Sequence, residues 1–132
     1  MSDNGNSFND APIKGMDWLI QNMIKVAEAG PGLSVVLSTA GGTVSGNIIS
    51  GSEYVRLLKK DLGRIDDEDL RDDLVEWAAS LAHVFKEYDG PGPYFIHLTN
   101  VRMDIGGSMR LMPGPWRGNL AHVTGITLAS LT

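Results

Sequence analysis

The chain has 132 residues, 42% of them apolar, and its 16 acidic and 11 basic residues give a net charge of −5 at neutral pH. This length allows a single domain, and the apolar content is enough for a folded core, which excludes a disordered acidic chain. The absence of cysteine excludes a disulfide framework, a thiolate metal site and a cysteine nucleophile.

The first twelve residues differ in composition from the rest of the chain. Residues 1–12 are rich in Asn, Asp, Gly and Ser, and they lack the basic start and apolar core of a secretory signal. We therefore expect residues 1–12 to be a flexible tail and residues 13–132 to form one α+β domain. No apolar stretch approaches the length of a membrane span, so we expect no membrane partner.

The domain begins with a predicted helix and a predicted hairpin. Apolar residues recur every three or four positions through residues 13–29, which is typical of a helix, and a Gly-Pro-Gly segment ends it. Residues 33–39 and 43–50 alternate between apolar and polar side chains, with a glycine-containing turn between them. This pattern predicts a β-hairpin.

Helical spacing returns after Gly51 and continues to the Gly/Pro-rich segment 90–93. Ser52 is the predicted N-cap of a short helix, and Asp66 is the predicted N-cap of a longer one that ends at residues 89–90. The longer helix carries apolar residues at steady three-four spacing, namely Leu70, Leu74, Trp77, Leu81, Val84 or Phe85, and Tyr88.

The last third of the chain is rich in β-forming residues. Residues 94–105 predict a strand whose apolar phase shifts at Thr99 and Asn100, which indicates a β-bulge. We expect a loop opened by a Gly-Gly pair between this strand and the last two, predicted at residues 116–123 and 126–131. The fold class is therefore α+β. An N-terminal helix precedes a curved antiparallel sheet of about five strands, with a helical insertion between strands 2 and 3 and the helices on one side.

Eight of the sixteen acidic residues lie in the segment 61–76. A calcium loop would need oxygen ligands at fixed offsets around a turn glycine in non-helical backbone, whereas these acids fall on the first turns of a predicted helix. At the start of a helix the carboxylates suit the positive end of the helix dipole. We therefore predict no metal site and a solvated acidic surface, on which Asp69, Asp72 and Asp73 are candidate partner contacts.

The charge is divided unequally along the chain. From residue 94 onward three bases, Arg102, Arg110 and Arg117, face the single acid Asp104. An acidic helix and a mildly basic sheet end favour self-association or a charged partner. Three arginines are too few for a nucleic-acid footprint, so charge alone does not predict a nucleic-acid partner.

No residue pattern indicates catalysis or a cofactor. The histidines His83, His97 and His122 show no spacing for a hydrolase or a metal site, so we expect satisfied core or sheet histidines. The segment 41–46 spans a phosphate-loop spacing, but Asn47 replaces the required lysine. We predict no catalytic residue, no cofactor and no enzyme activity.

The run Trp116-Arg117-Gly118 is the most specific candidate contact in the sequence. Trp116 is expected to anchor the core, and Gly118 to let a backbone pass close by. Arg117 lies between them on the opposite face of the predicted strand and becomes a candidate partner contact together with Trp116. The plainer interpretation, a core tryptophan beside a solvated arginine, stays open.

Two motifs near the end of the chain resemble the GvpU family of gas vesicle accessory proteins. They are Tyr94-Phe95-Ile96-His97-Leu98-Thr99-Asn100 and, after a Gly/Pro-rich loop, Trp116-Arg117-Gly118-Asn119-Leu120 followed by Val123-Thr124-Gly125. The hairpin segment Gly42-Thr43-Val44-Ser45-Gly46-Asn47-Ile48-Ile49-Ser50, followed by Glu53-Tyr54, fits as well. The resemblance implies a non-enzymatic, cytoplasmic, gas-vesicle-associated protein that acts on assembled vesicles, for example by promoting their clustering. Its partners would be the vesicle shell or other gas vesicle proteins.

A second resemblance is to Sm-like barrels, which gives the alternative function of an RNA-binding module. An N-terminal helix, a curved five-stranded sheet and the Arg117-Gly118 pair near a loop are similar to proteins that can contact RNA there. The chain lacks the Asp and Asn that those proteins place after the second strand. Residues 52–88 also predict helices where those proteins have a short connection. An Sm- or SH3-like barrel is one form that the predicted sheet could take.

Overall fold

The computed structural model of the protein describes residues 17–28, 32–87 and 92–128. Its elements in chain order are α1 (Trp18–Glu28), β1 (Leu33–Thr39), β2 (Gly42–Ile49), α2 (Gly51–Leu62), α3 (Glu68–Glu87), β3 (Phe95–Ile105), β4 (Ser108–Leu111), β5 (Trp116–Asn119), a 3₁₀ turn (Leu120–His122) and β6 (Val123–Thr127). The predicted tail at residues 1–12 lies outside the described residues.

The six strands form one open sheet in the order β4-β3-β2-β1-β6, and β5 also pairs with β3. All of these pairings are antiparallel. The predicted α+β class, the N-terminal helix and the helical insertion between strands 2 and 3 are confirmed. Within the described residues no pairing joins β6 to β4 or β5, so the sheet does not close into a barrel.

The predicted hairpin is β1 and β2, which pair over their whole length from Leu33 opposite Ile48 to Thr39 opposite Gly42. The turn is held by Thr39, whose Oγ1 donates to the Gly42 carbonyl at 2.9 Å and accepts from the Gly41 amide at 3.2 Å. Gly42 has φ +136°, which a residue with a side chain rarely adopts. The sequence therefore fixes the hairpin register at its turn.

The predicted bulge in β3 is also confirmed. The register with β2 shifts between Ser45 and Asn47, so that Asn100 and Val101 both lie opposite Gly46. Asn100 has φ 53°, a left-handed conformation that asparagine tolerates better than most residues. The extra residue restores the core-facing phase, and Val101 is therefore fully buried.

Both predicted helix N-caps are displaced by one or two residues. Ser50, and not Ser52, caps α2, because its Oγ accepts from the Glu53 amide at 3.0 Å. Before α3 it is Asp67, and not Asp66, whose carboxylate accepts from the Leu70 amide at 3.0 Å. The helix α2 starts earlier than predicted and is packed tightly there, since a Cβ on Gly51 would overlap the Phe85 ring.

The prediction of a loop after the Gly-Gly pair is wrong for the residues that directly follow this pair. Gly106 and Gly107 have φ 61° and 86° and form a two-residue hairpin turn, from which Ser108–Leu111 returns as β4. The strand predicted at residues 116–123 is correspondingly shorter. It ends at Asn119, whose side chain accepts from the Ala121 amide and caps a 3₁₀ turn before β6.

The main core lies between α1 and one face of the sheet. Its buried residues are Ile20, Ile24, Ala27, Val35, Leu37, Val44, Ile48, Ile96, Leu98, Val101 and Leu120. The neighbouring His97 points the other way and contacts Tyr54 of α2 and Phe85 of α3. The helices therefore contact both faces of β3, and the expectation that they lie on one side is wrong.

Candidate partner-binding site

A cleft of about 510 Å³ lies between α1, the end of α3 and the beginning of β3. Its walls are mostly apolar and aromatic, and they include Ile24, Val84, Phe85, Tyr94 and Phe95. The charged side chains Lys25, Glu28 and Arg117 line it as well. A cleft that combines apolar walls with a few convergent charged groups is the usual form of a binding site.

Arg117 is held against the wall of this cleft by two contacts. Its guanidinium carbon lies 3.7 Å from the centre of the Phe95 ring, a cation–π geometry. Its Nε donates to His97 Nε2 at 3.2 Å, across the directly paired positions of β3 and β5. A guanidinium has five N–H donors, and among the described residues only the one on Nε has a partner. Arg117 is therefore oriented, exposed and available to a carboxylate.

His97 is the buried support of Arg117. It is 5% exposed, and its ring lies 4.6 Å from the Tyr54 ring and 5.5 Å, edge-on, from the Phe85 ring. Burial, followed by the charge of Arg117, lowers the pKa of His97 to about 4. The ring is neutral at neutral pH, and its one proton lies on Nδ1 when Nε2 accepts the hydrogen bond from Arg117.

Trp116 does not share a surface with Arg117, because successive residues of a strand point to opposite faces. Trp116 is half-buried and packs against the main core, as expected of an anchor. A Cβ on Gly118 would overlap the Trp116 indole, so this glycine makes room for a side chain of its own strand. The expectation that Gly118 lets another backbone pass is wrong, and contact of Trp116 with a partner stays a prediction.

The acidic candidates lie far from the cleft. Asp69, Asp72 and Asp73 are exposed on the first turns of α3, and Asp72 is 3.7 Å from the Arg71 guanidinium. Val84 in the cleft lies twelve residues further along the same helix than Asp72, which corresponds to about 18 Å. The structure therefore separates the two predicted contact regions, and a role for either in binding stays a prediction.

Several residues of the site were not singled out in the sequence. Three aromatic residues from three different elements contact Arg117 or His97, namely Phe95, Tyr54 and Phe85. No spacing along the sequence predicts that these side chains come together. The expectation of a satisfied core or sheet histidine is confirmed for His97. The expected core or sheet position is wrong for His83 and His122, which are exposed on α3 and in the 3₁₀ turn.

Two other kinds of site are not found in the described part of the chain. No three histidine or carboxylate side chains there come together as a possible metal site. No helix there has both the length and the apolar character that crossing a bilayer requires.

Comparison with known proteins now gives the family. A family model described as "Gas vesicle protein GvpU-like" matches residues 17–131. The chain belongs to the GvpU-like family. The curated proteins and the solved structures gave no significant match. The GvpU-like match runs from the start of α1 past the end of β6, so the whole cleft and the Arg117–His97 pair lie inside the family domain.

Proposed function

We propose that the protein is a non-enzymatic accessory protein of the cytoplasm that binds assembled gas vesicles and brings them together. The observation that carries this proposal is the GvpU-like family match over residues 17–131. An accessory role is favoured over a shell role because the apolar strand residues are buried in an internal core with α1. The partners are the vesicle shell or other gas vesicle proteins.

The cleft beside Arg117 is the proposed contact with the vesicle. It offers apolar and aromatic walls for a side chain and a fixed guanidinium for a carboxylate next to it. A shell or accessory protein segment with an acidic residue beside an apolar one fits this chemistry. Because the contact includes an exposed charge, we expect binding to weaken with added salt.

Flotation with purified gas vesicles tests the proposal. Unbound protein stays in the lower phase, whereas bound protein rises with the buoyant vesicles. We expect the wild-type chain in the floating layer and Arg117→Ala largely below it. Arg56→Ala is the matched control, since Arg56 is an exposed arginine on α2 whose one partner among the described residues is Glu53. Wild-type protein that remains below the vesicles at low salt would refute direct binding.

The alternative function is an Sm-like RNA-binding module. One observation favours it, namely that Arg102, Arg110 and Arg117 lie on strands whose only acid is Asp104. It predicts affinity for a single-stranded oligonucleotide at low salt that Arg117→Ala removes. Fluorescence anisotropy measures this directly, and no binding at low salt would eliminate the alternative.

A further inference from the structure

Helix α3 carries a row of exposed apolar side chains. Leu70, Trp77 and Val84 are 50%, 53% and 61% exposed, although each belongs to the apolar pattern of the helix. They are seven residues apart, which is close to two helical turns, so they lie on one line about 21 Å long. Single exposed apolar residues are common on protein surfaces, but a regular row of three is a candidate interface.

The row continues into the face of α3 that packs inside the protein. Ala78 is fully buried on the helix that packs on α2, and Leu74 and Leu81 are half-buried between Ala78 and the row. Leu74 and Leu81 together with the three residues of the row follow spacings of four, three, four and three. We call these five residues the α3 seam (Leu70, Leu74, Trp77, Leu81, Val84). This is the heptad spacing by which two helices stay in contact along their length.

A second copy of α3 is the partner that best matches the seam. A seven-residue period needs a partner with the same period, and another copy of the chain supplies it along the full 21 Å or so. The corresponding row on α1 is shorter, because it holds only Leu19 and Val26 among the exposed apolar residues. A twofold pair of identical surfaces also gives a closed dimer and not an open chain of molecules.

The charges of α3 select the antiparallel arrangement. Five of its acids, Glu68, Asp69, Asp72, Asp73 and Glu76, precede Trp77, and residues 77–85 contain none. Parallel helices would place the two acidic halves side by side, which is unfavourable. Antiparallel helices place each acidic half beside residues 77–85 of the second copy, which contain no acid, and also oppose the two helix dipoles.

We propose that two copies of the protein associate through the α3 seam as an antiparallel pair, with Trp77 at the twofold axis and Leu70 opposite Val84 of the second copy. The dimer carries two clefts, and a particle with two binding sites is the smallest that can join two vesicles. That last consequence rests on the proposed function, whereas the dimer itself does not. Vesicle binding and dimer formation can therefore be refuted independently. Flotation tests vesicle binding by the cleft, and the molecular mass in solution tests the dimer through the α3 seam.

Sedimentation of the full chain across the micromolar range tests the dimer. We expect a dimer for the wild type and a dissociation constant raised about ten-fold or more in the double variant Leu70→Gln/Trp77→Gln. Ala79→Gln is the matched control, because Ala79 is exposed on the same helix away from the seam. Circular dichroism and the unfolding temperature establish that each variant is folded. A wild-type monomer, or a dimer that the double variant leaves unchanged, overturns the proposal.

The orientation has a test of its own, because the chain contains no cysteine. Asp73→Cys and Ser80→Cys place single thiols beside the seam without altering it. In an antiparallel dimer residue 73 of one copy lies beside residue 80 of the other, so a mixture of the two variants should give a mixed disulfide under mild oxidation. Formation of only the same-residue disulfides, or of no disulfide in a proven dimer, overturns the antiparallel arrangement.

Discussion

Arg117 and His97 form a pair in which each residue influences the other. Burial, followed by the charge of Arg117, keeps His97 neutral, and neutral His97 accepts the hydrogen bond that orients Arg117. Sequence reasoning proposed Arg117 as a candidate partner contact and predicted His97 to be a satisfied core or sheet histidine. It could not join them, because their pairing depends on the register between β3 and β5, which are separated by the β4 hairpin.

The lowered pKa of His97 predicts a loss of stability in mild acid. The pKa falls from about 6.5 in the unfolded chain to about 4 in the folded protein, so the unfolded chain binds the proton first as the pH falls. The contribution of neutral His97 to the free energy of unfolding is complete above about pH 6.5. It decreases toward pH 4, by up to about 3 kcal/mol.

Urea unfolding of the wild type and of His97→Gln across this pH range measures the effect. We expect the free energy of unfolding of the variant to depend less on pH between about 4 and 6.5. His122→Gln, which changes an exposed histidine, should behave like the wild type. Equal pH slopes for the wild type and His97→Gln would contradict the buried neutral state.

At the scale of elements, the sequence predicts best where the pattern is long and least where an element is short. The hairpin, the long helix and the β3 bulge are visible in apolar spacing, because each turns a definite set of residues toward the core. The strand β4 has only four residues, all exposed, so it has no buried face to leave a pattern. The N-caps differ from the predicted ones because several neighbouring Ser and Asp residues could each cap the helix. The packing of Gly51 on Phe85 decides where α2 begins.

The N-cap of α2 stabilises the protein through the side chain of Ser50. Ser50→Ala removes the acceptor of the Glu53 amide and should lower the free energy of unfolding by about 1 kcal/mol. Ser52→Ala is the matched control, since Ser52 is exposed inside the first turn and alanine favours helix. Denaturant unfolding of both variants decides the matter, and an equal or larger loss for Ser52→Ala would place the cap where the sequence pattern predicted it.

At the scale of the whole molecule, binding and bridging are assigned to different surfaces. The cleft beside Arg117 is the proposed contact with the vesicle, and most of the α3 seam is the proposed contact between two copies of the protein. Val84 is shared, because it lines the cleft and belongs to the seam. Variants at Leu70 and Trp77 are therefore the ones that separate the two activities.

Light scattering from purified gas vesicles mixed with the protein tests this division most directly. We expect the wild type to increase the apparent size of the vesicle particles and Arg117→Ala to leave it unchanged. The double variant Leu70→Gln/Trp77→Gln should still float with the vesicles yet fail to enlarge them, with Ala79→Gln behaving as the wild type. A seam variant that binds and clusters vesicles as well as the wild type does would contradict bridging through α3.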